Sequence, residues 1–187
     1  MTLFPEKHPS TAHSARGADA LVGRPAIPTP AAGKPRWEDR GKGKALVLHF
    51  DGGSRGNPGP AGIGVTLTDS QGTPLYELGE FLGRCTNNVA EYTALLRGLN
   101  AAKTLGAAKL TVHSDSELLV RQINGIYKVK SPDLKPLFQK AVALINALGD
   151  VTVTHVYREG NTRADELANL AMDTAGKIEP LGGLLPR

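Results

Sequence analysis

The sequence has little cysteine and no long apolar segment, and both scarcities limit what the protein can be. Cys85 is the single cysteine among 187 residues, so an internal disulfide and a cysteine-based zinc site are excluded. No apolar run approaches the length needed to cross a bilayer. We therefore expect a soluble protein without membrane contact, located in the cytoplasm.

Two phosphate-binding motifs are also missing. Neither GxGxxG nor GxxxxGK followed by Ser or Thr occurs in the chain. A small nucleotide-binding α/β module therefore has no motif to support it.

The excess of basic over acidic residues lies entirely in the first 44 residues. The net charge is +4, and residues 1–44 hold eight basic and four acidic residues, which leaves fourteen of each for 45–187. General attraction to a polyanion would have to come from the first segment or from local patches.

Residues 1–44 contain six prolines and almost no periodic apolar pattern. Such a segment cannot bury enough surface to offset the entropy of ordering. The composition predicts a disordered basic tail (1–44), one folded domain (45–175) and a flexible C-terminus (176–187).

A glycine-rich stretch, FDGGSRGNPGP, occupies residues 50–60. It follows the short apolar run 45–50, which predicts a strand covered on both faces, so Asp51 is expected where the strand leaves the sheet. The glycines permit close backbone approach to a ligand. On this stretch alone, a hairpin turn with a solvated Asp51 remains an equal alternative.

The remaining patterns predict an α/β domain: three antiparallel strands, a helix, a strand, two helices, a strand and a helix, giving a five-stranded mixed sheet with helices on both faces. The predicted strands are 45–50, 62–69, 73–83, 109–114 and 151–157, and the helices are 87–105, 117–123, 134–148 and 161–172.

Four acidic residues fall at informative places in this order. Asp51 ends the first strand, Glu91 heads the small, core-facing stripe of the first helix, Asp115 follows the fourth strand, and Asp165 begins the last helix. Glu91 as a helix-dipole partner and Asp115 as an ordinary N-cap are the alternatives. A cluster of four carboxylates makes sense chiefly as a ligand set for hard divalent ions, and Mg²⁺ fits such oxygen-only ligands.

The chain resembles the type 1 ribonuclease H family in four strings that occur in the right order. They are DGGSRGNPGPAGIG from Asp51, TNNVAEYTALLRGL from Thr86, SDSELLVRQINGI from Ser114, and REGNTRADELANLA from Arg158. The resemblance covers roughly residues 45–175 and implies a ribonuclease H-like fold.

The resemblance also implies a site and a reaction. Asp51, Glu91, Asp115 and Asp165 match the catalytic carboxylates that bind two Mg²⁺ ions, with Mn²⁺ as the alternative metal. The positions that match substrate contacts are Gly52, Gly53, Asn57, Thr86, Asn87 and Asn88. The implied reaction is endonucleolytic cleavage of RNA in RNA–DNA hybrids, leaving 3′-hydroxyl and 5′-phosphate ends; no protein partner is implied, and a monomer is expected.

Two departures from the family pattern concern substrate binding and turnover. The inserted basic helix of the better-known bacterial members is missing, since the link 125–133 carries only Lys128 and Lys130. We therefore expect residues 34–44 to supply basic contacts instead. His155 falls near the family's mobile histidine, and His155, Glu159 and Asn161 are accessory candidates.

Two other functions of the same fold stay open on the sequence. One is a nuclease or integrase-like domain that acts on DNA; the pair Asn87–Asn88 argues against it. The other is a non-catalytic nucleic-acid binder, which would not need to keep four acidic residues.

Overall fold

The structure of the protein is a computed structural model that describes residues 40–179. This part of the chain forms β1 (Ala45–Ser54), β2 (Gly59–Asp69), β3 (Pro74–Cys85), α1 (Asn87–Thr104), β4 (Lys109–Ser114), α2 (Glu117–Ile123), α3 (Lys135–Leu148), β5 (Val151–His155), α4 (Thr162–Thr174) and β6 (Lys177–Ile178). A short 3-10 turn, Arg158–Gly160, precedes α4.

The strands form one mixed sheet in the order β5–β4–β1–β2–β3–β6. β1, β2 and β3 pair antiparallel, as the sequence predicts. β4 lies parallel to both β1 and β5. The sheet therefore changes from antiparallel to parallel pairing at β1, and the predicted α/β architecture is confirmed.

The main core lies between the sheet and α1. Leu46, Leu48 and Phe50 alternate along β1 and are buried with Leu95 and Leu99 of α1. This alternation is the period-2 pattern of a strand with one face on a core. Helix α3 packs on α1, so it forms part of the same side of the molecule.

The opposite face of the sheet is covered by α4, which lies unusually close to the strands. A Cβ atom on Gly64 would lie 1.8 Å from the carbonyl oxygen of Ala164, and one on Gly62 would lie 2.6 Å from that of Ala168. Any side chain at these positions would push α4 away from the sheet. The glycines of β2 therefore set the distance at which α4 packs.

The prediction of five strands is wrong, because Lys177–Ile178 form a sixth, β6, on the edge of β3. Phe81 N donates to Gly176 O over 2.9 Å, which extends this pairing. A strand of two residues is too short to show alternation, so the sequence pattern could not predict it. Residues 180–187 lie outside the described part.

β1 is longer than predicted. It continues through Asp51 to Ser54, and Asp51 is paired with Gly64 of β2. The expectation that Asp51 ends the strand is therefore wrong for the antiparallel side. It holds on the other side, where the pairing of β1 with β4 stops at His49 and His113.

The predicted disorder of 1–44 does not extend to its last five residues. Residues 40–44 form a turn in which Gly43 N donates to Gly106 O over 3.0 Å, and Ala108 N donates to Lys44 O over 2.9 Å. These bonds tie the turn to the loop between α1 and β4. Residues 1–39, including most of the proposed basic segment 34–44, lie outside the described part.

The link between α2 and α3 contains no helix, in agreement with the missing basic insertion. None of the helices within residues 40–179 combines the length and apolar character that crossing a bilayer requires.

Replacing Gly64 should measure how strongly the packing of α4 depends on this glycine. We expect Gly64→Ala to lower the free energy of unfolding by about 3 kcal/mol or more, because the methyl group would overlap the backbone of α4. Urea unfolding followed by circular dichroism measures the change. Gly160→Ala is the control, since a Cβ there meets nothing closer than 3.7 Å; equal stability of the two variants would contradict this account.

Candidate active site

A polar cleft of about 330 Å³ lies where β1 runs past the end of β4. All four acidic residues predicted from the sequence line it. The lining residues are Asp51, Gly52, Gly53, Ser54, Arg55, Asn87, Glu91, Asp115, Ser116, Arg158, Asp165, Asn169 and Met172.

Glu91 is brought to the cleft by the contact of α1 with Gly52. A Cβ on Gly52 would lie 2.3 Å from both Ala90 C and Glu91 N, so the helix backbone occupies the space of the missing side chain. Gly52 follows Asp51 directly, and this contact therefore places two carboxyl-bearing residues side by side. The contact of Gly52 with a substrate, predicted by resemblance, stays a prediction.

Both carboxylate oxygens of Glu91 accept hydrogen bonds. Asn87 Nδ2 donates to Oε1 over 3.1 Å, and Ser116 Oγ donates to Oε2. Burial raises the pKa of Glu91 to about 7, although both hydrogen bonds act in the opposite direction. Since α1 has no acidic residue in its first turn, the helix-dipole alternative for Glu91 loses its support.

Asn161 connects the parallel part of the sheet to α4. Its Nδ2 donates to Phe50 O over 2.8 Å and to Asp115 Oδ1 over 3.0 Å. The residue is only 1% exposed, and its Oδ1 has no protein partner. Asn161 therefore orients Asp115 and supplies the hydrogen bond that the Phe50 carbonyl oxygen lacks where β4 has ended. The N-cap of α2 is Ser116 rather than Asp115, and the Ser116 side chain makes no capping bond.

Asp165 is held by two neighbours on the other side of the cleft. Arg158 Nη2 donates to Oδ1 over 2.6 Å, and Asn169 Nδ2 donates to Oδ2 over 3.1 Å. The Arg158 side chain is 74% exposed, so its ion pair with Asp165 is weak and replaceable.

The electrostatics of the cleft disfavour a full set of negative charges. Burial, followed by the nearby charges of Asp115 and Asp165, raises the pKa of Asp51 to about 6. Arg158 acts in the opposite direction but does not cancel these effects. Cations that enter the cleft would stabilise the ionised carboxylates.

The donor set fits hard divalent ions, because every acidic ligand offers oxygen. Within residues 40–179, however, no three His, Cys, Asp or Glu side chains lie close enough to hold one ion together. The carboxylates of Glu91, Asp115 and Asp165 do not converge on one point, because each is directed toward a protein donor. Convergence on an ion requires these side chains to exchange partners.

Of the predicted substrate-contact residues, Gly52, Gly53 and Asn87 line the cleft, whereas Asn57, Thr86 and Asn88 do not. Thr86 is the N-cap of α1 and accepts from Val89 N over 3.4 Å. Asn57 Oδ1 accepts from Asn87 N over 3.2 Å, which ties the β1–β2 turn to the start of α1. Asn88 is exposed. Gly53 lines the cleft.

His155 and Glu159, the other accessory candidates, lie outside the cleft lining. His155 ends β5 and lies edge-on to Tyr157, with ring centroids 5.9 Å apart. Glu159 is exposed in the 3-10 turn, and its carbonyl oxygen accepts a hydrogen bond from Thr162 Oγ1 over 3.0 Å.

The site residues predicted from the sequence do not include Ser116, Asn169 or Arg158. Asn169 lies four residues after Asp165, a helical spacing that could have indicated it. Ser116 follows Asp115 as the N-cap of α2. Its bond to Glu91 joins elements 25 residues apart, so no local pattern could reveal it.

Comparisons with known proteins agree with this geometry. Residues 49–171 match a family described as reverse transcriptase-like. A ribonuclease HI of Halobacterium salinarum is 40% identical over 164 residues, which cover 88% of this chain and 81% of that protein. The chain belongs to the type 1 ribonuclease H family. The resemblance drawn from the four sequence strings is thereby confirmed.

Other members of the type 1 ribonuclease H family agree in structure and sequence. LC11-RNase H1, solved in complex with an RNA/DNA hybrid, is 46% identical, with a TM-score of 0.67 over 70% of this chain and 98% of that one. A bifunctional protein of Mycobacterium tuberculosis is 49% identical over 133 residues, 71% of this chain but 36% of that protein. The chain thus spans only about a third of that relative. Ribonucleases H generally use divalent metal ions.

Removing the charge of Asp51 should stabilise the metal-free protein. The pKa of Asp51 is raised from 3.8 to about 6, so its ionisation favours the unfolded state. We expect Asp51→Asn to raise the free energy of unfolding by about 2 kcal/mol above pH 6. The gain should shrink as the pH falls from about 6 to about 4, because Asp51 then becomes protonated in the folded wild type.

Urea unfolding in the presence of a chelator, at several pH values, checks this. Asp150→Asn is the matched control, because the Asp150 side chain is 59% exposed and its loss should change stability by no more than about 0.5 kcal/mol. A less stable Asp51→Asn protein at pH 8 would contradict the role of repulsion.

Proposed function

We propose that this protein is an endoribonuclease that hydrolyses the RNA strand of RNA–DNA hybrids, leaving 3′-hydroxyl and 5′-phosphate ends. The observation that carries the proposal is the arrangement of Asp51, Glu91, Asp115 and Asp165 around one polar cleft. The similarity to LC11-RNase H1, whose structure contains an RNA/DNA hybrid, supports the choice of substrate.

The four carboxylates would hold two Mg²⁺ ions, or Mn²⁺, as the catalytic metal ligands. Such a pair of ions activates a water and stabilises the leaving oxygen of a phosphodiester. In the metal-free protein, Asn161 holds Asp115 at the cleft, and Asn87 with Ser116 holds Glu91 there, until ions would replace some of these donors. Asn169 holds Asp165 from the same helix.

Recognition of the hybrid would take place along the edge formed by Gly53, Asn57, Thr86, Asn87 and Asn88. The bond between Asn57 and Asn87 N fixes the β1–β2 turn against α1, so the two elements present a single rigid edge. Amide side chains there can bond to the 2′-hydroxyl, the group that distinguishes RNA from DNA. This arrangement favours a hybrid-specific enzyme over one that acts on DNA alone.

The remaining expectations are retained as parts of the proposal. His155 and Glu159 do not line the cleft, so we assign them an accessory role at most. The single cysteine suits the reducing cytoplasm, and the enzyme is proposed to act as a monomer.

The decisive experiment compares matched RNA–DNA, RNA–RNA and DNA–DNA duplexes with and without Mg²⁺ or Mn²⁺. We expect cleavage of the RNA strand of the hybrid alone, and only with a divalent ion. Cleavage of DNA–DNA would favour the related DNA nuclease, and binding without cleavage would favour the non-catalytic alternative.

Charge-neutral variants test the site itself. We expect Asp51→Asn and Asp115→Asn each to lower the hydrolysis rate at least about a thousandfold, because each removes a metal ligand worth several kcal/mol in the transition state. Asp150→Asn, which lies away from the cleft, should cleave at the wild-type rate. Wild-type turnover by a folded Asp51→Asn protein would refute the assignment.

A further inference from the structure

Two histidines lie side by side on the face of the sheet opposite α1. His49 of β1 and His113 of β4 are direct partners in the parallel register. Their neighbours Leu48 and Val112 are buried on the α1 side, so the alternation of the strands directs both imidazoles to the other face. Both rings are half-buried.

The two rings already meet through nitrogen. His113 Nδ1 and His49 Nε2 are 3.1 Å apart, and the ring planes cross at 82° with centroids 4.8 Å apart. A hydrogen bond between them needs one N–H and one lone pair, and the tautomers decide which ring donates. The arrangement therefore contains one proton held between two potential metal-ligating atoms.

The separation of these nitrogens suits a shared metal ion. Imidazole nitrogens lie about 2.0–2.1 Å from Zn²⁺. Two of them in tetrahedral geometry are therefore about 3.3–3.4 Å apart, a few tenths of an ångström more than the observed 3.1 Å. An ion could replace the shared proton with only small rotations of the rings.

Open space adjoins His49 of the pair. A cleft of about 360 Å³ is lined by His49, Thr66, Thr68 and Glu77, with Arg163 and residues of the α4 start. Glu77 is held by Arg163 through bonds of 2.8 and 3.1 Å, so its carboxylate is already engaged. Water would complete the coordination of an ion at the two histidines.

We propose that His49 and His113 chelate one divalent ion of the imidazole-preferring class, Zn²⁺, Ni²⁺ or Cu²⁺, at a second metal site. Mg²⁺ is excluded from it, because that ion selects oxygen ligands. The cleft beside His49 shares no lining residue with the carboxylate cleft. The bound ion would join β1 to β4 two residues before Asp51 and Asp115, and so fix the strands that carry them.

Titration of the wild-type protein with Zn²⁺, followed by NMR of the histidine rings, tests the site directly. We expect one equivalent of Zn²⁺ to shift the ring signals of both His49 and His113, with those of His155 unchanged. Mg²⁺ in excess should leave the three rings unaffected. Absence of a joint shift of His49 and His113 would overturn the proposal.

Variants separate this site from the carboxylate cleft. We expect His49→Gln and His113→Gln each to weaken Zn²⁺ binding at least about tenfold in calorimetry, because one remaining imidazole makes a much weaker site. His155→Gln is the matched control and should bind as the wild type does. Asp51→Asn should also keep this affinity; its loss there, or its retention in both histidine-pair variants, would contradict the assignment.

Discussion

The candidate site depends on two places where a helix backbone touches the sheet. Gly52, the residue after Asp51, lies against Glu91 N. Gly64, the partner of Asp51 across β1 and β2, lies against the carbonyl oxygen of Ala164, the residue before Asp165. Glycine is required at both contacts because any Cβ would overlap the helix. Two glycines thus position three carboxylates from three elements, those of Asp51, Glu91 and Asp165.

The carboxylates repel one another at the place where the protein would bind cations. Burial and neighbouring charge raise the pKa of both Asp51 and Glu91. Ser116 donates to Glu91, Asn161 to Asp115 and Arg158 to Asp165, and these bonds offset part of the cost of gathering the carboxylates in the metal-free state. The cluster of carboxylates therefore lowers folding stability, as functional sites commonly do.

The sequence predicts most of the fold because long, periodic segments dominate it. The predicted bounds of β4 and α2 agree with the structure, and α1 begins at Asn87 as predicted. The failures have local causes. β6 is too short to show a pattern. β1 continues through Asp51 because it pairs with β2, and the glycines in these segments hide the alternation that would have predicted it. The link from Ser116 to Glu91 joins two helices, so only tertiary structure shows it.

The turn at residues 40–44 is the point at which the chain enters the described domain. It is fastened to the loop between α1 and β4, at the amino end of β1. Asp51 lies seven residues beyond Lys44 along an extended strand, a separation of about 23 Å. Residues 40–44 thus lie at the far end of β1 and do not line the carboxylate cleft. Within the described part of the chain, the turn leaves the carboxylates uncovered.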